Sequence, residues 1–226
     1  ESNEFPSAAS LDLVVSDKPV WLRRIDGHAG WANTIAMELA GVNRDSEDPT
    51  GGRIIRDENG NPTGVFIDTA MSYIASQMPA STIEELQLAL STSMNKLATY
   101  GLTSVHDAGA GSQTIAAYKI LSEKGPLPIR VNVMLAASDP LYLDRLGEGY
   151  FRSDDDTLNI NSVKIVGDGA LGSRGAALIE DYSDDSGNRG LLRYDDERLE
   201  FLMRVAMNAG FQVNTHAIGD NANMKV

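Results

Sequence analysis

Cysteine is absent from the 226 residues, which excludes disulfide bonds and thiolate metal sites and leaves the redox compartment open. Basic residues are few relative to acidic ones, 19 against 32, and the formal net charge is -13. This charge argues against nucleic acid or an anionic membrane surface as a partner. No apolar run approaches the roughly 20 residues that span a bilayer. We therefore expect a soluble protein, with the cytoplasm favoured over the periplasm or secretion.

Both ends of the chain are unusual. It opens Glu1-Ser2-Asn3-Glu4, with neither an initiator methionine nor a signal peptide. It closes with Asn221 to Val226, which resembles the first turn of a helix without its continuation, soon after a conspicuous histidine, His216. We expect an internal segment of a longer protein, and the alternative is a complete small protein.

Residues 1–80 are rich in turn signals and predict an inserted α+β accessory subdomain. Arg53 to Arg56 and Val65 to Ile67 are typical of two strands joined across an Asn-Gly turn, which predicts a β-hairpin. Asn33 to Ala40 predicts a short helix that ends at Gly41.

Residues 81–226 repeat a helix-then-strand unit. Ser81 or Thr82, followed three residues later by a glutamate, predicts a capping box, and Gly101 ends the helix that it opens. Further predicted helices and strands alternate up to a strand that ends at His216; they are helices 112–123 and 195–208, and strands 102–106, 129–135, 161–166 and 211–216. Alternation of this kind indicates βα units around a parallel sheet. No glycine-rich dinucleotide fingerprint follows a strand, so an arc of a (β/α)₈ barrel is favoured over a doubly wound sheet.

Lys164 is the sharpest irregularity, because it interrupts an otherwise apolar strand. A buried ammonium group must be neutral, paired or modified. A structural lysine would form an ion pair with Asp168, which has the same strand parity. A functional lysine would be a base, a Schiff-base former, or a carbamate that serves as an anionic metal ligand.

The three histidines all lie among small residues. His216 and His106 each stand at the predicted carboxyl mouth of a strand, where α/β folds keep their chemistry. A structural histidine that donates to a backbone carbonyl is the alternative for each. His106 and the adjacent Asp107 point to opposite faces of a strand, so they do not form a dyad by themselves. His28 is either a turn residue or a lid residue that hydrogen-bonds a substrate.

A glycine-rich loop, Asp168 to Gly175, follows the strand that carries Lys164. The Walker pattern is absent, so a phosphate cradle is disfavoured. Arg174 in this loop is a candidate for orienting a carboxylate or carbonyl of a substrate.

Taken together, these segments resemble the amidohydrolase superfamily, specifically the branch that includes N-substituted formamide deformylases and exoenzyme-regulatory proteins. The resemblance runs from about Pro19 to the end of the chain. Five motifs in the family's order carry it: Asp26-Gly27-His28-Ala29-Gly30-Trp31-Ala32-Asn33-Thr34, Pro62-Thr63-Gly64-Val65, Gly101-Leu102-Thr103-Ser104-Val105-His106-Asp107-Ala108, Val163-Lys164-Ile165 with Asp168-Gly169 and Leu171-Gly172-Ser173-Arg174, and His216-Ala217-Ile218-Gly219-Asp220.

The resemblance implies a (β/α)₈ barrel with one or two divalent metal ions, commonly zinc, that activate water against a C–N bond. It implies that Lys164 is the strand-four lysine, which can be carboxylated to bridge metals, and that His216 is the strand-five metal ligand. It further implies a His-x-His motif on strand one before Glu1, and a histidine and an aspartate on strands six and eight after Val226.

The same resemblance suggests roles for the remaining candidates. His28 and Arg174 are similar to residues on the substrate side of the pocket, and His106 lies near the pocket without an assigned role. Independently of the resemblance, we predict His106 and Asp168 as the catalytic residues.

The sequence thus predicts part of a metal-dependent hydrolase that acts on a small amide-like substrate, with about strands two to five of the barrel present. With two ligands of a larger set, the isolated chain is expected to bind metal weakly and to be inactive. A rival is a non-catalytic binding or regulatory half-barrel, whose unclosed sheet would favour homo-oligomers. A third hypothesis, a lysine-dependent aldolase, predicts a Schiff base on Lys164.

Overall fold

A computed structural model describes residues 5–226. The strands are β1 (Trp21–Arg23), β2 (Ala29–Ala32), β3 (Gly52–Arg56), β4 (Pro62–Asp68), β5 (Ser104–Ala110), β6 (Arg130–Ala136), β7 (Phe151–Arg152), β8 (Leu158–Val166) and β9 (Gln212–His216). The α-helices are α1 (Ala8–Asp12), α2 (Thr34–Leu39), α3 (Ser72–Ala75), α4 (Ile83–Thr99), α5 (Ser112–Glu123), α6 (Tyr142–Glu148), α7 (Asp196–Asn208) and α8 (Asp220–Lys225). Short 3-10 turns occupy Thr69–Met71 and Leu171–Ser173.

The described chain divides into two compact units. The first unit contains residues 5–79, 166–195 and 217–226, and the second contains residues 80–165 and 196–216. This division differs from the predicted split into 1–80 and 81–226. Segments 166–195 and 217–226 follow strands of the second unit in the chain but belong to the first unit. The reason is local packing: Gly169 and Gly175 lie directly against the Asp68 side chain at the end of β4.

The first unit is built on an antiparallel sheet with the strand order β1-β2-β4-β3. Its central strand β4 buries alternate side chains on opposite faces, as period-two strands do. Phe66 packs with Ile54 and Ile74 on one face, while Val65 and Ile67 pack on the other. The predicted hairpin is confirmed, since β3 and β4 pair across the turn that contains Gly60 at φ +83°.

The predicted helix in this unit is also confirmed, and Asn33 explains why it begins where it does. The fully buried Asn33 side chain accepts the backbone N–H of Ala36, which caps α2, and the N–H of Val20. Its amide donates to the carbonyl of Lys18. One side chain therefore caps the helix and anchors the chain that enters β1.

The second unit is built on a sheet in which β5, β6 and β8 run parallel. Two further strands pair with β8, namely β9 and the short antiparallel β7. One face of the sheet is apolar and sealed: Val131, Val133, Leu135, Val163 and Ile165 are at most 1 % exposed. The predicted mixed α/β fold with a parallel sheet is therefore confirmed. Within the described residues the sheet is open, because β5 pairs with β6 alone.

The helices of this unit follow their local signals. Thr82 accepts the N–H of Glu85 while the Glu85 carboxylate accepts the N–H of Thr82, so the predicted capping box opens α4. Helix α5 has the predicted bounds. The connection from β6 to β8 contains α6 and β7, which the sequence patterns did not predict. No helix among residues 5–226 has both the length and the apolar character needed to cross a membrane.

Candidate functional site

In the second unit, His106 and Lys164 lie on the same face of the parallel sheet. His106 is in register with Asn132, and Lys164 is in register with Ala136 four residues further along β6. Residues in register share a face of the sheet, and so do residues two or four apart on one strand. His106, Asn132, Ala136 and Lys164 therefore point to the same face. This face is at least partly open, since His106 is exposed and Asn132, Ala136 and Lys164 are half-buried.

The Lys164 side chain extends across this face toward β5. A Cβ atom placed on Gly109 of β5 would lie 3.6 Å from Lys164 Cγ, and Gly109 has φ +120°, where a β-bulge interrupts the pairing with β6. The intervening β6 residue is the small Ala136. Within the described part of this unit, no carboxylate lies within ion-pair distance of Lys164. The ion pair with Asp168, a residue of the other unit, stays a prediction.

His216 ends β9, the strand that pairs with β8. Two residues earlier, the Asn214 amide donates to the Val163 carbonyl at 3.2 Å, beside Lys164. The second unit therefore gathers His106, Lys164 and His216 on strands of one sheet. Residues 5–226 contain no group of three or more histidine, aspartate or glutamate side chains placed to hold a metal ion.

Asp107 has a structural role on the opposite face from His106, as the strand parity predicts. Its carboxylate accepts the hydroxyl of Tyr118 on α5 at 3.1 Å. Burial of that hydroxyl and the Asp107 charge beside it raise the pKa of Tyr118 well above its usual range. The tyrosine thus remains a hydrogen-bond donor, and Asp107 ties α5 to the sheet.

In the first unit, His28 is held by Asp68. His28 Nδ1 donates to Asp68 Oδ1 at 2.6 Å, and the backbone N–H of Asp68 donates to the His28 carbonyl at 3.2 Å. Their side chains are 14 % and 1 % exposed. In the antiparallel pairing of β2 and β4, Ala29 lies opposite Ile67. The next position therefore brings His28 opposite Asp68. The pair is a direct consequence of strand register.

Asp68 has a strained backbone and an unsatisfied oxygen. Its backbone has φ 47° and ψ −119°, a region that non-glycine residues rarely adopt. Its buried Oδ2 has no hydrogen-bond partner among the described residues. A Cβ atom on Gly169 or Gly175 would lie 2.3 Å or 2.5 Å from that oxygen, so two glycines are required above the carboxylate. Strain and an unsatisfied buried carboxylate oxygen concentrate at functional sites.

Comparison with known proteins agrees with this arrangement of motifs. The model of the amidohydrolase family matches residues 1–226. The chain belongs to the amidohydrolase family. It is 35 % identical to YtcJ of Bacillus subtilis over 234 residues, which covers 100 % of this chain and 43 % of YtcJ. It is 31 % identical to N-substituted formamide deformylase of Arthrobacter pascens over 128 residues, covering 54 % of this chain and 23 % of that protein.

A solved structure agrees on the fold. The crystal structure of an uncharacterized metal-dependent hydrolase from Pyrococcus horikoshii superposes with a TM-score of 0.71 at 28 % identity, and covers 100 % of this chain and 44 % of that one. This amidohydrolase-family chain thus spans less than half the length of YtcJ and of the Pyrococcus hydrolase.

Asp168 has a structural role in this amidohydrolase chain. It is fully buried, and its carboxylate accepts backbone N–H bonds from Ala177 (3.0 Å), Ile218 (3.0 Å) and Gly219 (2.7 Å). A Cβ atom on Gly219 would lie 1.8 Å from the Ala177 carbonyl oxygen, so glycine is required there. These contacts explain by packing why Gly219 belongs to the His216 motif. A catalytic role for Asp168 stays a prediction.

Arg174, the predicted substrate-orienting residue, forms an ion pair with Asp184. It has φ 55° and its guanidinium donates two hydrogen bonds to Asp184. These bonds raise the pKa of Arg174 above its ordinary value. Its predicted contact with substrate stays a prediction.

The residue that sequence reasoning missed is Asp68. A signal for it existed, because Asp68 directly follows the buried apolar run Val65-Phe66-Ile67. An acidic side chain at that position must find a partner, and nothing in the local sequence identifies it as His28, 40 residues earlier.

Proposed function

We propose that this amidohydrolase-family chain forms part of a metal-dependent hydrolase that cleaves an amide-like C–N bond of a small molecule. The observation that carries the proposal is the shared, partly open face of His106 and Lys164, with His216 on a neighbouring strand of the same sheet. The names of a deformylase relative and a metal-dependent structural neighbour support the reaction class. We further propose that β5, β6, β8 and β9 form an arc of a (β/α)₈ barrel, since parallel strands linked by helices fit one.

Lys164 and His216 would be the metal ligands in this unit. A neutral imidazole is a common ligand of divalent metals, and zinc is the ion we favour. A lysine can serve as an anionic ligand only after its amine adds carbon dioxide as a carbamate. Gly109 and Ala136 are the small residues beside the base of the Lys164 side chain, next to its Cβ and Cγ atoms. When bound, the cation supplies Lewis-acid polarisation and activation of water.

The protein's own residues would position the substrate. His28, held in one orientation by Asp68, would hydrogen-bond the substrate, and Arg174 would orient a carbonyl or carboxylate. His106 and Asp168 are the remaining catalytic candidates; the amide bonds to Asp168 favour a positioning role for it.

We also propose that the isolated 226-residue chain binds zinc weakly and does not turn over, because two ligands do not complete a site. Calorimetric titration should give a dissociation constant weaker than roughly 1 µM. A longer natural chain containing these residues, with zinc, should hydrolyse an N-substituted formamide. In that chain Lys164→Ala should lower kcat/KM at least about 100-fold.

Lys96→Ala is the matched control, because Lys96 is an exposed lysine of α4 whose ammonium group lies over the ring of Tyr100. It should leave kcat/KM unchanged. Carbon-13 NMR after exposure to labelled bicarbonate should detect a carbamate that Lys164→Ala removes. A longer chain that binds stoichiometric zinc but lacks any hydrolysis would favour the regulatory module, and borohydride trapping of a carbonyl compound on Lys164 would favour the aldolase.

A further inference from the structure

A cleft of about 460 Å³ in the first unit is lined by Arg23 and Arg193. Arg23 ends β1, and Arg193 lies in the 166–195 segment, where its backbone N–H donates to the carbonyl of Gly167. Neither guanidinium makes an ion pair or a hydrogen bond with any residue among those described. Most of the remaining arginines of this acidic chain do pair with carboxylates: Arg24, Arg53, Arg56, Arg145, Arg152, Arg174, Arg189 and Arg204. Two such arginines at one cleft indicate a binding site for an anion.

The lining also contains one acidic residue, Asp68. Asp68 gives one carboxylate oxygen to His28, and the second oxygen is sealed beneath Gly169 and Gly175. The two guanidinium groups outnumber the one carboxylate of the lining, and neither forms an ion pair with it. A planar guanidinium matches a carboxylate with two parallel hydrogen bonds.

The rest of the lining is largely apolar. Trp21, Met71, Ala75 and Met78 line the cleft, and Thr69 and Ser72 add hydroxyl groups. A site with an apolar wall and a few convergent polar groups suits a small organic molecule.

We propose that this cleft binds a small organic anion, in which a carboxylate contacts Arg23 and Arg193 and a short apolar chain lies along Trp21 and Met78. The proposal goes beyond hydrolysis of a C–N bond, and binding at the cleft needs neither a metal ion nor turnover.

Hexanoate is the probe, and hexanamide is its neutral counterpart with the same carbon chain. Binding is followed by the indole N–H resonance of Trp21 in nitrogen-15 NMR spectra of the 226-residue protein. Trp31 is an internal control, because it is in register with Leu22 and so faces away from Trp21. Hexanoate should shift the Trp21 resonance saturably with a dissociation constant on the order of 1 mM, and hexanamide should bind at least about tenfold more weakly.

Arg23→Gln and Arg193→Gln should each weaken hexanoate binding at least about fivefold. Arg204→Gln removes the same charge from the exposed surface of α7, where Arg204 pairs with Glu200, and should leave the affinity unchanged. Arg23 is exposed, so Arg23→Gln should fold even if Arg193→Gln does not. The proposal is overturned if hexanoate gives no saturable shift, if hexanamide binds equally well, or if Arg23→Gln binds like the parent protein. Hexanoate binding needs no metal ion. A failed hydrolysis assay would therefore count against the proposed hydrolase activity and not against the anion site.

Discussion

The imidazole of His28 and the carboxylate of Asp68 lie 2.6 Å apart, although 40 residues separate them in the chain. A carboxylate can only accept, so Nδ1 carries the proton of this bond. The bond selects one tautomer and one ring orientation of His28. That is the arrangement expected of a histidine kept ready to contact a ligand.

Replacing Asp68 by asparagine should release this constraint. Asp68→Asn should destabilise the protein by about 1–3 kcal/mol, because a buried charge-assisted hydrogen bond is lost. Nitrogen-15 NMR of the three histidines should show His28 changing from one tautomer to a mixture. Glu200→Gln is the control, since Glu200 pairs with Arg204 on the exposed surface of α7, and should cost less than about 1 kcal/mol. An unchanged His28 tautomer in Asp68→Asn would contradict the positioning role.

The two glycines above Asp68 should resist even the smallest side chain. Gly169→Ala and Gly175→Ala each place a Cβ atom within 2.5 Å of the buried Asp68 oxygen and should cost about 1–3 kcal/mol in urea unfolding. Gly147→Ala is the matched control, because Gly147 lies in α6 with no atom within 4 Å of the new Cβ. It should be neutral or stabilising by up to about 1 kcal/mol. Equal effects at all three sites would show that the close approach does not matter.

Asp168 offers a test between a structural and a catalytic role. Asp168→Ala leaves three backbone N–H groups without their acceptor and should lower the free energy of unfolding by at least about 3 kcal/mol, or prevent folding. Asp168→Asn keeps one acceptor oxygen and should be intermediate. If Asp168→Ala unfolds in urea like the parent chain, the carboxylate is dispensable for the fold and a catalytic task becomes the better explanation.

Asp139 should make the stability of the second unit depend on pH. Burial raises the pKa of this carboxyl, but hydrogen bonds from Ser112 and Leu141 outweigh burial and hold the pKa below its ordinary value. A pKa that is lower in the folded state stabilises the fold above about pH 4, the unfolded value, and the stabilisation disappears as the pH falls through the folded pKa.

Asp139→Asn should therefore cost about 1 kcal/mol at pH 7 and progressively less below about pH 4. The measurement is urea unfolding across this pH range. Asp144→Asn on α6 is the control, because Asp144 is exposed and its side chain makes no hydrogen bond within residues 5–226. If the loss of unfolding free energy in Asp139→Asn stays constant with pH, the carboxylate charge is not what stabilises the start of α5 at Ser112.

Local signals were enough for most helices and strands. Helix α5 has the bounds 112–123 that its pattern predicts, and the Thr82–Glu85 capping box forms as expected, because these features depend on residues a few positions apart. Short elements such as β7 were missed, since a strand of two residues is stabilised by its neighbour β8 and not by its own composition.

The sequence by itself determined the family, the alternation of helices and strands, and the candidates Lys164, His106 and His216. The tertiary structure alone decided which groups meet: Asp68 with His28, Gly169 over Asp68, and Asp168 with the amide of Gly219. The physical reason is the separation along the chain of the residues that interact. Helix caps and strand alternation are encoded within a turn or two of chain, whereas these partnerships depend on strand register and on loops packing across many intervening residues.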